Sequence, residues 1–285
     1  MPELPEVESV RRGLVDARVT APVVSLYRSQ KPLRIGAAWR RENLRALIGA
    51  RPGALERRGK YIVWRFTGDS PLGLLIHLGM SGRCGIARED ERRAAHTHLA
   101  LGFADGRQLR FVDPRRFGGL RVDALDRLWS SPPLSELGVE PLDEGFDGAA
   151  LERALGSSAR ALRDALLDQR AVAGVGNIYA VEALFEAGLH PLLAARRLRS
   201  SAWERLAAAL VTVLRRGIDN GGTTLKDFRN VVGEVGRNQD DLRVYGRADA
   251  PCPKCGGALQ GFVHGGRSGA FCPVDQPRPR GRWVR

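Results

Sequence analysis

YIVWRF (residues 61–66), GLLIHLGM (73–80), THLALGF (97–103), LRFVD (109–113) and GGLRV (118–122) are short runs rich in β-branched and aromatic residues, separated by Gly, Asp and Pro. Runs of this kind across roughly residues 20–125 predict an antiparallel β-sandwich or flattened barrel. Working outward, Leu4, Val7, Val10 and Leu14 recur at helical spacing directly after Pro2, so a short helix should precede the strands. On the other side SSPPLSELGVEPL (130–142) ends the β pattern and marks a linker. Beyond it ALRDALLDQ (161–169), NIYAVEALFEAGL (177–189) and SAWERLAAALVTVLRRGI (201–218) place apolar residues at i, i+3 and i+4, the mark of helices with one buried face. The loop GGTTLKDFRNVVGEVGRNQDDL (221–242) is too polar and Gly-rich to pack fully and is expected to be mobile. The expected class is α+β, divided into an N-terminal β domain (1–129), a linker (130–142), a helical domain (143–243), a ribbon-like hairpin (244–277) and a basic tail (278–285).

The chain of 285 residues carries 45 Lys+Arg against 32 Asp+Glu, a net charge of +13. Such an excess suits a polyanion, because clustered cations release counterions from a phosphate backbone. Lysine stands only at 31, 60, 226 and 254, so 41 of the 45 basic residues are arginine. That suits bidentate phosphate contacts, though a GC-rich genome gives the same bias. No run of 18 uncharged apolar residues and no basic n-region followed by an apolar stretch is present, so a membrane partner and export are not expected.

Three of the four cysteines crowd CPKCGGALQGFVHGGRSGAFCPVDQ (252–276). Cys252 and Cys255 have the spacing of a zinc-ribbon pair, and Cys272 begins a second pair whose expected partner position is Asp275. One structural zinc ion held by Cys252, Cys255, Cys272 and Asp275 is the expectation. His264 is the alternative fourth ligand, and a ribbon that has lost its metal is the other possibility. Cys84 stands alone and reads as a small buried hydrophobe. In AVAGVGNIYA (171–180), Gly174 and Gly176 introduce Asn177 at a helix start, an anion site suited to a backbone phosphate. A preceding strand and a third glycine are missing, so no nucleotide cofactor is expected. His96 and His98, at i and i+2, should share one strand face and read as DNA contacts or surface residues rather than a metal pair. His77 reads as a core histidine or a DNA contact.

Eight ordered segments resemble the formamidopyrimidine-DNA glycosylase family: PELPEVE (2–8), RRGKY (57–61), HLGMSG (77–82), DPRRFGG (113–119), VAGVGNIYA (172–180), GGTTLKDF (221–228), VYGR (244–247) and the C-terminal ribbon. The resemblance implies a catalytic β-sandwich, a helix-two-turns-helix domain, a zinc-ribbon hairpin, and DNA between the lobes. It implies a bifunctional enzyme that excises 8-oxoguanine and formamidopyrimidines and nicks the abasic strand by β,δ-elimination. By the same resemblance Lys60 contacts the phosphate beside the lesion and serves in β-elimination. Arg267 grips the lesion-flanking phosphate and serves in δ-elimination. Met80, Arg115 and Phe117 fill the gap left by the flipped nucleotide, and His96, Asn177 and Tyr245 contact the backbone. Arg160 and Arg163 are weaker basic candidates, since Gly-Ser-Ser stands at 156–158 where relatives often carry lysines. The resemblance further implies damaged double-stranded DNA as the partner, met by a monomer in the bacterial cytoplasm, at the nucleoid. An endonuclease VIII-like enzyme for oxidised pyrimidines and a noncatalytic damage-binding relative are the alternatives, and Leu4 with DPRRF favours the purine branch.

The proposed chemistry also has a basis in the residues themselves. An α-amine has a reference pKa of about 7.7 to 8.0 against about 10.4 for lysine, so near neutral pH far more of it is the free nucleophile. Pro2 becomes such an amine once Met1 is removed. Glu3 is then the adjacent general acid/base. Glu6, one turn on, supports it, and Glu8 is expected to complement the helix N-terminus.

Overall fold

The computed structural model describes residues 1–33, 44–68, 71–224, 228–229, 231 and 233–278. The tail from 279 onward and part of the loop at 221–242, including Lys226, lie outside the described residues. The chain forms two compact units, Met1–Ser135 with Ile218–Gln239, and Glu136–Gly217 with Asp240–Arg285.

In the first unit helix α1 (Leu4–Asp16) starts behind Glu3, with Pro5 in its first turn and Glu6 closing a capping box. Pro suits this position because its missing N–H is one that a helix start leaves unpaired. Among the described residues eight strands follow: β1 (Val23–Arg28), β2 (Arg51–Arg58), β3 (Tyr61–Thr67), β4 (Leu72–His77), β5 (Arg83–Arg88), β6 (Thr97–Phe103), β7 (Arg107–Val112) and β8 (Gly119–Ala124). They form two four-stranded antiparallel sheets, β1-β6-β7-β5 and β2-β3-β4-β8, in keeping with the expected sandwich. Ile62, Trp64, Phe66, Leu74 and Ile76 meet Leu99, Leu101, Phe103, Leu109 and Phe111 in one core, joined by Val7, Val10 and Leu14 of α1. The start of α1 is thus fixed by apolar burial, each such side chain contributing on the order of 2 kcal/mol.

The expected shared face of His96 and His98 is not found. His96 lies before β6 in a left-handed conformation, with φ of 63°, and is exposed, while His98 is buried. The alternation that pairs i with i+2 holds only in extended backbone, and His96 leaves it.

Helix α2 (Leu125–Ser130) closes the N-terminal part of the first unit; the second unit carries α3 (Gly148–Leu155), α4 (Leu162–Leu166), α5 (Asn177–Glu186) and α6 (Ser200–Asp219), the last two residues of which group with the first unit. Asp147 caps α3 by accepting from Ala150 N at 2.7 Å. Helix α5 is buried almost all round, from Ile178 to Phe185, as a central helix must be. The hairpin of β9 (Gln260–His264) and β10 (Arg267–Phe271) packs on it. Val181, Phe185, Val244, Cys252, Leu259 and Cys272 form the small core there.

Candidate active site and nucleic-acid interface

Two carboxylates are buried at the start of α1, Glu3 at 4% and Glu6 at 2% exposure. Pro2 is buried beside them, and Met1 is exposed. The Glu6 carboxylate accepts from two backbone amides: Oε2 from Glu3 N and Oε1 from Thr223 N, each at 2.7 Å. It therefore joins the N-terminus to the loop after α6. Gly222, with φ of 88°, lies so close that a Cβ there would meet Glu6 Cγ at 3.0 Å. Asn238 locks the same loop, its Nδ2 donating to Thr223 Oγ1 at 2.8 Å. Thr223 is a contributor that sequence reading passed over.

Glu8 has a different task from the helix-end charge expected of it. Its carboxylate pairs with Arg11 at 2.7 Å, Arg12 at 3.0 Å and Arg57 at 3.3 Å. Burial works to raise its carboxyl, but the Arg11 hydrogen bond and the neighbouring guanidiniums outweigh it and hold the group below the usual carboxylate value. Arg57 also donates to Gly59 O at 3.2 Å, so Glu8 fixes the β2–β3 turn that presents Lys60, itself 6% exposed.

One end of the second sheet lies beside His77, Met80, Arg115 and Phe117. Tyr61 pairs with His77 across β3 and β4, their rings 4.8 Å apart, and His77 pairs with Gly119 at the start of β8. The His77 Nδ1 accepts from Gly79 N at 3.2 Å. Met80 follows at 36% exposure. A Cβ on Gly79 would stand 2.3 Å from Gly118 N, so only glycine lets the turn bearing Met80 lie against the loop bearing Arg115 and Phe117. The Arg115 guanidinium lies 4.9 Å above the Phe117 ring. Met80 and Arg115 are exposed and Phe117 is half-buried.

Asp113, wholly buried, organises this loop and was not singled out from sequence. Its carboxylate accepts from Ser81 Oγ at 2.6 Å and Gly118 N at 2.8 Å. Its backbone takes up both histidines: Asp113 N donates to His96 O at 3.1 Å, and His98 Nε2 lies 3.0 Å from Asp113 O. The signal was available in DPRRFGG, where an Asp precedes a Gly-rich turn and can bond its own loop's amides. Cys84 is buried as expected, which pushes its thiol up to about 12.

In the second unit Asn177 opens α5 behind Gly176, and Gly174 has φ of 82°. The Asn177 side chain is held by its own chain, donating to Ser268 O at 2.8 Å and accepting from Arg163 NH1 at 3.2 Å. Tyr245 is half-buried, and its N donates to Glu182 Oε1 at 2.8 Å. That carboxylate also accepts from Arg243 N and Val244 N, which fixes the turn entering the ribbon. Arg160 is exposed and paired with Asp168 at 2.9 Å. Arg267 is exposed at the first position of β10. Arg163, by contrast, is 0% exposed, so it faces the protein rather than a nucleic acid.

The Cys252, Cys255 and Cys272 sulfurs and an Asp275 oxygen all lie within 4.8 Å of one another. Cys255 Sγ and Cys272 Sγ are 3.4 Å apart, and Cys252 Sγ is 3.1 Å from Asp275 Oδ2. Tetrahedral zinc with bonds of about 2.3 Å to sulfur spaces its ligands by about 3.8 Å, so the set is positioned to hold one zinc ion. Lys254 N and Asp275 N point at Cys252 Sγ and Cys272 Sγ, at 3.4 and 3.3 Å, as second-layer donors to thiolates do. His264 is not a ligand: its Nε2 meets Asp164 Oδ2 at 3.0 Å instead. One carboxylate in place of a thiolate keeps the ligand charge unchanged while substituting a harder donor.

Three families match along the chain: the formamidopyrimidine-DNA glycosylase N-terminal domain at 1–120, the formamidopyrimidine-DNA glycosylase H2TH domain at 137–229, and the zinc finger found in FPG and IleRS at 250–278. The chain is 43% identical over 280 residues to the formamidopyrimidine-DNA glycosylase of Halorhodospira halophila, covering 97% of this chain and 100% of that one. It is 42% identical over 292 residues to that of Thermomicrobium roseum, covering 97% and 99%. Among solved structures, the MutM (FPG) protein of Thermus thermophilus superposes with a TM-score of 0.84 at 40% identity, covering 98% of this chain and 100% of that one. A Lactococcus lactis FPG variant in complex with Fapy-dG containing DNA gives 0.88 at 32% identity, covering 97% and 100%. No helix among the described residues is long and apolar enough to cross a membrane.

Proposed function

This chain belongs to the formamidopyrimidine-DNA glycosylase family, and from that premise we propose that Pro2, freed by removal of Met1, is the nucleophile with which it excises oxidised purines and then cuts the strand. It is a DNA glycosylase of base-excision repair whose partner is damaged duplex DNA. The proposal includes action as a monomer in the bacterial cytoplasm, at the nucleoid.

The Pro2 secondary amine attacks C1′ of the extruded nucleotide, and the oxidised base departs with the bonding pair and is protonated. Glu3 supplies the proton that opens the sugar at its ring oxygen. Loss of the amine proton to water leaves an iminium, positively charged and with no N–H left to lose; Glu3, now a carboxylate, takes the C2′ proton, the iminium accepts the electrons of the C2′–H bond, and the 3′ phosphate leaves. Lys60 neutralises the phosphate beside the lesion and serves this β-elimination. A further elimination expels the other phosphate, with Arg267 as its grip. Met80, Arg115 and Phe117 fill the vacated stack, an unbranched thioether and a ring against the bases and a guanidinium for the orphaned partner. His77, His96, Arg160, Asn177 and Tyr245 complete the contacts to the backbone. Zinc, when held by Cys252, Cys255, Cys272 and Asp275, supplies ribbon stability rather than a reaction step.

The observation that carries this reading is the Glu6 carboxylate with its two bonds of 2.7 Å. A buried anion that fixes Glu3 N and Thr223 N together holds the nucleophile's segment and the adjacent loop in one geometry. Excision assays run in parallel on duplexes bearing 8-oxoguanine or thymine glycol test the substrate. Faster release of 8-oxoguanine is expected, and a strong preference for thymine glycol overturns the purine assignment.

A further inference from the structure

The hairpin that presents Arg267 has little apolar support at its tip. Val263 is 76% exposed, and the turn residues Gly265 and Gly266 have φ of 53° and 71°, the two-glycine turn that a tight hairpin favours. A two-stranded hairpin is marginal by itself, so something other than a core must set where its tip points. The side chain in that place is Arg163 of α4, fully buried. Its NH2 donates to His264 O at 2.6 Å and pairs with Asp164 Oδ1 at 2.7 Å, and its NH1 donates to Asn177 Oδ1 at 3.2 Å. Asp164 uses its second oxygen on His264 Nε2 at 3.0 Å. Asn177 in turn holds Ser268 O at 2.8 Å, on the other strand. His264 and Arg267 are the cross-strand pair that closes the turn.

Burying a guanidinium is costly, and here its Nε has no hydrogen-bond partner at all, a loss of about 1–3 kcal/mol for an unsatisfied buried group. A leucine or methionine would fill the space without that cost, so the arginine's use lies in the direction of its bonds rather than in stability. Burial holds Arg163 below the usual arginine range, with Asp164 opposing this and the charge of Arg267 adding to it.

We infer that Arg163 and Asp164 are positioning residues that clamp both strands of the hairpin turn to the start of α5 and so aim Arg267 at the phosphate. The inference rests on the phosphate role proposed for Arg267 and adds what makes that role possible.

Asp164→Asn and Arg163→Lys, each with Arg267→Ala alone and in combination, test it on the full-length zinc-loaded protein. Binding to a duplex with a stable abasic analogue and the ratio of β- to β,δ-elimination products are the measurements. Asp164→Asn is expected to weaken binding about tenfold, the size of one charge-assisted hydrogen bond, and to shift products toward β-elimination. Zinc content and melting temperature report whether either variant folds. In the Arg267→Ala background neither substitution should add a further effect. Full additivity with Arg267→Ala, or unchanged binding and product ratio in a folded Asp164→Asn, overturns the clamp. If Arg267→Ala itself changes neither quantity, the phosphate role of Arg267 fails first, and the clamp with it.

Discussion

The start of α1 and the tip of the ribbon hairpin are each proposed to present a group for DNA, and both use directed bonds, but only the first has an apolar core beneath them. At α1 the polar residues Glu3 and Glu6 sit on a helix whose other face, Leu4, Val7, Val10 and Leu14, is at most 1% exposed. At the hairpin tip the strands are largely exposed, and a buried arginine with its bonds takes the place of a core. Apolar packing is directionless and collective, so the first arrangement tolerates loss of one contact at a cost in stability alone. A few directed bonds behave otherwise: losing one leaves the fold standing and the functional group misaimed.

The largest expected effect lies in the chemistry at α1. Glu3→Gln should lower the single-turnover excision rate by about 10²–10⁴-fold, the usual contribution of a general acid/base, as read by product formation under excess enzyme. Retention of rate within threefold would remove Glu3 from its role. Next comes the support beneath it. Leu14→Ala should cost about 2–5 kcal/mol in denaturant unfolding of the first unit, as cavity formation in a core does. Once corrected for folded fraction, its excision rate should remain that of the native chain. A rate that drops further than the folded fraction would show that packing sets the chemistry more finely than argued.

Glu8→Gln should be milder, about 1–2 kcal/mol, because charge-assisted bonds to arginine are partly offset by desolvation. The folded Glu8 carboxyl lies below its ordinary value of 4.5, so its contribution is present above that pH and is lost as pH falls through the folded value. The stability gap between native and variant protein should therefore be widest near neutral pH and close in acid. A gap that stays constant to pH 3 would mean that Glu8 contributes through shape rather than charge. The smallest effect belongs to the ribbon. Asp275→Cys should slow zinc loss to a chelator, followed by metal analysis, with excision unchanged, since four thiolates are the commoner structural set. Lower zinc content in that variant would count against Asp275 as a ligand.

Much of this was legible in the sequence, for a physical reason. Strands β3, β4, β6, β7 and β8 coincide with short β-rich runs bounded by turn residues, and the cysteine spacing constrains the ribbon locally. What escaped was contact between residues far apart in sequence. Glu6 and Thr223 meet across 217 positions, and no local pattern announces that bond. His96 departs from the strand through a single backbone torsion that its sequence neighbours do not reveal. Arg163 reads as a surface cation in ALRDALLDQ because an arginine's default is exposure, and only its partners at 164, 177 and 264 explain its burial. Asp275 was legible as a candidate by position, while the choice between it and His264 needed the geometry.

The central claim is that the Pro2 amine forms the covalent bond to DNA. Borohydride reduction of the complex with an abasic duplex, followed by proteolysis and mass measurement of the modified peptide, tests it directly. The account predicts an N-terminal peptide that begins at Pro2, lacks Met1 and carries the reduced sugar on the proline nitrogen. A trapped adduct on Lys60, or a modified protein that still begins with Met1, would contradict it.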